Sequence, residues 1–372
     1  MQFSEGRGYD RSLAVGAKAA VKDVLALKKD ERILIISNPN KDVREISMAI
    51  FDAAMNVKAK PVLMFQREKG QFDFAEKDVI TAMSSEPDVI LSISKDRFGK
   101  DKHGLLEGYT GKRKYNDIFE MLYEEEKARA FWSPGITRDM FRRTVPIDYT
   151  RLRKDCKRIC AILKGSETVR VTAPGGTDLV IGLKGRIAKM DDGDFRKKGR
   201  GGNIPSGEVY VSPALGTTNG VIAFDGSIVL NDGEIVIRDP IVAHIKDGYI
   251  TKITGTKEAN ALRNSIRIAK RKARSMGNDG LLKSSEVESY IKNTESIGEL
   301  GIGLNRKARI VANMLEDEKV YGTCHFAVGS NYDGDADSLI HLDGLVKAPT
   351  ITAVSASGRE TELMRKGKLT WD

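Results

Sequence analysis

Residues 32–65, RILIISNPNKDVREISMAIFDAAMNVKAKPVLMF, decide the fold of the first part of the chain. Arg32–Ser37 is a short apolar run that reads as a buried strand, and Asn40–Val57, begun near Asn38-Pro39, reads as a helix. Ala59–Phe65 reads as a second strand. Working outward, 11–28 and 74–84 read as helices and Asp88–Ser94 (DVILSIS) as a third strand. Strands that alternate with helices need crossover connections and therefore pair in parallel, so an open α/β layer is expected here. No GxGxxG follows the first strand, so the fingerprint of a dinucleotide-binding sheet is missing. Helices at about 115–127 and 147–164 close this half. Cys156 and Cys160 lie one turn apart on the second of these; without a CxxC or nearby partner ligands they read as helix packing.

From Glu167 the texture changes to β-rich runs (TVRVTAP, TDLVIGLKG, GEVYVSP, GVIAFDGSIVL, GEIVIRD, YITKITG) separated by Gly, Asp and Asn turns. A chain of 372 residues is too long for one ordinary core. Two domains are expected, an α/β layer over 1–165 and a β-rich α+β domain over 166–372. One long helix interrupts the second. Leu262, Ile266, Ala269, Ala273 and Met276 form its apolar stripe, and Arg263, Arg267, Lys270, Arg271 and Arg274 gather on another face. Strands around 321–329 and 338–346 and a closing hairpin follow.

The net charge is +9, yet residues 195–200 (FRKKGR) and 259–278 together hold ten basic residues and no acid. The basicity is local, which weakens the case for a general polyanion binder. A non-catalytic protein that binds nucleic acid through the helix 259–278 needs stacking aromatics, and only Phe195 sits in either basic segment. Three cysteines are too few and too odd in number for a disulfide framework, pointing to a reducing compartment, the cytoplasm. The start has no secretory apolar region and no 18 uncharged apolar residues run together, so neither export nor membrane insertion is expected.

Histidine is scarce. In SLIHLDGLV, His341 and Asp343 point to one face of a strand, and in YGTCHFAVG the same alternation sends His325 to the face opposite Cys324. Imidazole beside carboxylate suits first-row metals, although either histidine alone fits a hydrogen-bonded core position as well. NYDGDADS, with Asp333, Asp335 and Asp337, resembles the start of a calcium loop but has Ser338 where glycine is required and Gly344 where glutamate is required. A solvated acidic turn is the expectation. Glu208 in GGNIPSGEVYVSP and Glu299 in SIGELGIGLN stand among small and apolar neighbours; each is either a partnered carboxylate or a strand-edge residue facing water. GRGGN (199–203) lacks the lysine and setting of a phosphate loop and reads as a flexible loop.

The blocks NIPSGEVYVSP, IGELGIGLN, HFAVGSNY and IHLDG, in this order, resemble the thermophilic aminopeptidase T family of dinuclear metallopeptidases. The resemblance implies a metal site of Glu208, Glu299, His325, Tyr332, His341 and Asp343, two divalent ions (zinc, cobalt, manganese or magnesium), a peptide substrate and a homodimer. In the reaction it implies, a water bridging the two ions attacks the N-terminal peptide bond, Tyr332 ligates or stabilises the oxyanion, and Glu299 shuttles a proton. The chain also resembles the dihydroxypyridine ring-cleaving dioxygenases, which share the fold and use two histidines and an aspartate around one iron. Two divalent ions and a bridging hydroxide would neutralise against Glu208, Glu299 and Asp343, whereas a single ferrous ion needs only His325, His341 and Asp343 and leaves both glutamates unexplained. The dinuclear hydrolase is therefore the favoured expectation.

Overall fold

The computed structural model describes residues 8–70 and 73–372. The chain divides into two compact units, 1–153 with 191–206, and 154–190 with 207–372. The first break falls inside the helix Tyr149–Lys164, ahead of the change of texture on which a boundary at 165/166 was expected.

The first unit is an open α/β layer. Its five-stranded sheet runs Gly201–Asn203, Arg129–Trp132, Val89–Ile93, Arg32–Ser37, Lys60–Phe65, and every pair is parallel. Arg32–Ser37 is buried at each position after Arg32, as a central strand covered on both faces requires. The helices Lys41–Asn56, Lys77–Met83 and Ile118–Glu124 supply crossovers; the last two are shorter than the expected 74–84 and 115–127. Lys114–Tyr115 instead pairs with Tyr109–Thr110, and Asp117 caps the helix by accepting from the Glu120 amide at 3.0 Å. The expected helix 11–28 is a 3-10 turn Arg11–Leu13, an α-helix Ala14–Ala19 and a π-turn Ala20–Val24.

Two strands of this sheet escape a reading of hydrophobic pattern. Arg129–Trp132 opens on a charged residue, but Arg129 is buried, with Nη1 and Nη2 at 3.0 and 2.7 Å from the two carboxylate oxygens of Glu31 and Nε donating to the Leu25 carbonyl. GRGGN is not a flexible loop: Gly201–Asn203 pairs with Ala130, Phe131 and Trp132, because a backbone ladder needs no side chain.

The second unit holds two antiparallel sheets. The eight-stranded one runs Tyr249–Thr254, Ile241–Lys246, Asn219–Phe224, Asp178–Gly182, Thr168–Thr172, Thr350–Val354, Glu360–Arg365, Lys368–Leu369. The seven-stranded one runs Gly233–Val236, Ser227–Leu230, His341–Lys347, Thr323–Gly329, Ile297–Gly303, Glu208–Val211, Lys189–Asp191. The long helix is Lys257–Asn278; it buries Leu262, Ile266, Ala269 and Ala273 and exposes Arg263, Arg267, Arg271 and Arg274. A second helix, Ser284–Asn293, was not expected. Among the described residues no helix is long and apolar enough to cross a membrane.

Candidate metal centre

Four neighbouring strands of the seven-stranded sheet carry five of the six expected ligands. In their register Asp343 lies opposite Ala327, which lies opposite Glu299; His325 lies opposite Gly301, which lies opposite Tyr210; Glu208 lies opposite Gly303. Residues two apart share a face and directly opposed residues share it too, so Glu208, Glu299, His325, His341 and Asp343 all project from one side of the sheet. Gly301, Gly303 and Ala327 between them leave the room. At Gly301 a side chain would displace the imidazole: an added Cβ would stand 1.9 Å from His325 Nε2. The GELGIG pattern is thus a floor on which an imidazole lies flat.

The ligand atoms meet around Glu299. Its Oε1 is 3.3 Å from His325 Nε2 and its Oε2 is 3.2 Å from His341 Nε2. On the outer sides, Glu208 Oε2 stands 3.6 Å from His325 Nε2 and Asp343 Oδ1 stands 3.4 Å from His341 Nε2. Two groups have ligand atoms mutually within 4.8 Å: Glu208, Glu318 and His325, and Glu299, His341 and Asp343. Each group holds one histidine, and Glu299 spans the two.

Two residues of this cluster lay outside the expected set. The short helix Met314–Asp317 delivers Glu318 and Lys319; the lysine is fully buried, its Nζ 2.6 Å from Glu208 Oε1 and 2.5 Å from Glu318 Oε1. Four consecutive charges, Glu316–Lys319, read as solvated surface, and nothing in the spacing marks the last two as interior.

The electrostatics are those of a site built for cations. Burial opposes a charge on His325, but the Glu299 hydrogen bond and the surrounding carboxylates overcome it and raise its pKa to about 9. His341 is raised well above the ordinary histidine value against the same burial cost, by Asp343 and then Glu299. Asp343 is likewise opposed by burial, yet the His341 charge beside it holds it down at about 2. Burial, with the charges of Glu208 and Asp343, lifts Glu318 to about 8 against the pull of Lys319. In the metal-free protein these protons stand where cations would. The donor set fits a metal directly: Glu208 Oε2, His341 Nε2 and Asp343 Oδ1 are buried without a hydrogen-bond partner. His341 Nδ1 lies 2.8 Å from the Ser330 carbonyl, and donating to it leaves the Nε2 lone pair for a ligand.

Tyr332 stands at the rim. It is 54% exposed, its ring centroid 4.9 Å from that of His341 and 5.4 Å from that of Tyr210. Desolvation and the charges of Glu299 and Asp343 push its phenol well above the usual tyrosine range, so it remains a hydrogen-bond donor. Cys324 is buried in the sheet, where desolvation raises its thiol pKa. The acidic turn is not merely solvated: Arg186 and Lys189 pair with Asp333, and Arg186 with Asp335.

A buried cluster of carboxylates and imidazoles on a sheet of this kind is a candidate metal centre. The family model described as NicX, 2,5-dihydroxypyridine 5,6-dioxygenase, matches residues 136–353, more than half of the chain, and the chain belongs to that family. The solved 2,5-dihydroxypyridine dioxygenase from Pseudomonas putida KT2440 is 17% identical with a TM-score of 0.68, over 97% of each chain. Wild-type AmpT from Thermus thermophilus is 16% identical with a TM-score of 0.65, over 97% of this chain and 99% of its own. No curated protein matches. The expected likeness to aminopeptidase T therefore holds for the fold, while the family matched is the dioxygenase one.

Proposed function

We propose that the chain is a metal-dependent hydrolase that acts on N-terminal peptide bonds with two divalent cations. The observation that carries this is Glu299, which completes the group with His341 and Asp343 and turns its other oxygen to His325 of the second group. Glu208, Glu318 and His325 would hold one cation, and His341 and Asp343 the other, with Glu299 shared. Such a pair lowers the pKa of a water and polarises the scissile carbonyl. Four carboxylates and the Lys319 ammonium leave three negative charges, which two divalent cations and one hydroxide neutralise.

The residues then divide the remaining work. Both oxygens of Glu299 are committed and its side chain is only 5% exposed, so the expected proton shuttle would pass to Glu318, the more exposed of the two at 17%. Tyr332, protonated at the rim, is placed to donate a hydrogen bond to a developing oxyanion.

A second reading has its own observation in the family match, and the comparisons back it more directly than hydrolysis: an iron-dependent ring-cleaving dioxygenase for 2,5-dihydroxypyridine, with His325, His341 and Asp343 as iron ligands. Elemental analysis separates the two, followed by assays of aminoacyl p-nitroanilides with zinc, cobalt, manganese or magnesium and of oxygen uptake with 2,5-dihydroxypyridine after ferrous loading. Two ions per chain and peptide hydrolysis lost in Glu299→Gln support the first reading. One iron per chain, oxygen consumption, and indifference to Glu208→Ala transfer the assignment to the second.

A further inference from the structure

The aspartates of the acidic turn NYDGDADS are absorbed by neither reading, and their contacts give them a purpose. Arg186 sits in the segment joining the strands Asp178–Gly182 and Lys189–Asp191. Its guanidinium reaches across the turn, with Nη1 3.2 Å from Asp333 Oδ2 and Nη2 2.7 Å from Asp335 Oδ2, and its side chain is 11% exposed. Lys189 donates to the Tyr332 carbonyl at 2.8 Å and lies 3.4 Å from Asp333 Oδ1. Inside the turn, Asn331 Nδ2 donates to Asp335 Oδ1, and Asn331 Oδ1 accepts from the Gly334 amide.

This turn begins and ends at the metal centre. Ser330, at its start, accepts from His341 Nδ1 and is bound to the Ile340 carbonyl through its own amide at 2.9 Å. Tyr332, two residues on, packs its ring against His341 at an angle of 55°. A shift of the turn therefore moves both the second hydrogen bond of His341 and the phenol at the rim.

Resting on the reading that His341 and Tyr332 belong to the functional centre, we infer that Arg186 is a positioning residue: by clamping Asp333 and Asp335 it fixes the turn that orients His341 and holds Tyr332 over it. The guanidinium fills the place a calcium ion would need between the two carboxylates. A planar fork suits this task, since it grips two separate acids in one geometry, as a lysine cannot.

The test uses Arg186→Gln and Arg186→Lys in the full chain. Amide hydrogen exchange over 330–338 should quicken in Arg186→Gln while the strands Ile297–Gly303 and Thr323–Gly329 keep their protection, and divalent-cation affinity should fall about 10–100-fold, the usual cost of losing a group that orients a ligand. Arg186→Lys should recover only part of either effect. Neither readout needs a substrate, so a failure of the hydrolase reading would show separately, as absent peptide turnover in the wild type. Where turnover is measurable, kcat should fall more than KM changes, and the losses from Arg186→Gln and Tyr332→Phe should combine to less than their sum. Unchanged exchange at 330–338, unchanged cation affinity, full additivity with Tyr332→Phe, or protection of the turn by added calcium would overturn the inference.

Discussion

Lys319→Met is the most informative single change at the centre. The lysine is fully buried, and its ammonium contacts both Glu208 and Glu318, at 2.6 and 2.5 Å. Removing one partner of a buried ion pair typically costs about 3–5 kcal/mol, because the remaining charge is stranded. Glu318 already carries a raised pKa near 8, so it can shed its charge by taking a proton, and the stranded charge is chiefly that of Glu208. The loss should thus sit near the low end, about 3 kcal/mol, in metal-free protein. At about 2–4 °C per kcal/mol for a unit of this size, Tm should drop by roughly 6–12 °C. With divalent cations bound, a cation replaces the ammonium as the counter-charge, and the loss should shrink to about 1 kcal/mol or less. By linkage the variant must bind the cation more tightly, by about thirtyfold for a difference of ~2 kcal/mol. Calorimetric melting of wild type and variant, with chelator and with saturating manganese or zinc, measures all of this. Equal destabilisation in both conditions would refute the reasoning, since it would mean that Lys319 supports packing and not the charges of the centre.

The other predictions follow from separate features. Gly301→Ala should displace the His325 ring, costing ~1–3 kcal/mol by overpacking and abolishing stoichiometric metal binding while the far-ultraviolet circular dichroism is retained. In chelated protein His325 has a pKa raised to about 9, so the stability it contributes is full below the ordinary histidine range and lost as pH rises through about 9; urea titrations from pH 6 to 10 should show that fall, and metal affinity should rise over the same window as protons leave the ligands. Glu318→Gln should lower the bound metal to one ion per chain by elemental analysis; two ions in the variant would remove Glu318 from the centre. In the first unit, Glu31→Gln should strand buried Arg129 and cost about 1–3 kcal/mol, discounted for the partial exposure of Glu31. The Glu31 carboxyl is held low by Arg129 and the Lys28 amide against its own desolvation, so that contribution should disappear as acid takes the pH below the usual glutamate range.

Legibility in the sequence followed how far each residue's partners lie along the chain. RILIIS announces a central strand because its burial is a local property of the five consecutive side chains after Arg32. HLD and TCHFA announce facing ligands because a period of two is also local. RAFW does not, since the arginine that opens it is neutralised by Glu31, ninety-eight residues away. Lys319 and Glu318 are hidden for the same reason: Glu208, which makes the lysine an interior residue, is 111 positions distant. The turn NYDGDADS carries the signature of a cation loop because aspartates spaced for calcium are also spaced for a guanidinium, and Arg186 is 147 residues upstream of Asp333.

The two functional readings differ in charge before they differ in chemistry. With Glu318 neutral, Glu208, Glu299 and Asp343 against Lys319 leave two negative charges, enough for a single divalent ion. With Glu318 ionised the deficit is three, and two ions with a hydroxide close it. Glu318 therefore works as the element that sets the capacity of the centre, and Lys319 as the element that makes its ionised form affordable in a buried position. Two divalent ions would draw on the charge of both Glu318 and Lys319, whereas one ion is balanced with Glu318 neutral. In the proposed hydrolase reading their engagement with Glu208 supplies the charge for a second cation; in the ring-cleavage reading, which the family match backs more directly, Glu318 would stay protonated beside one ion.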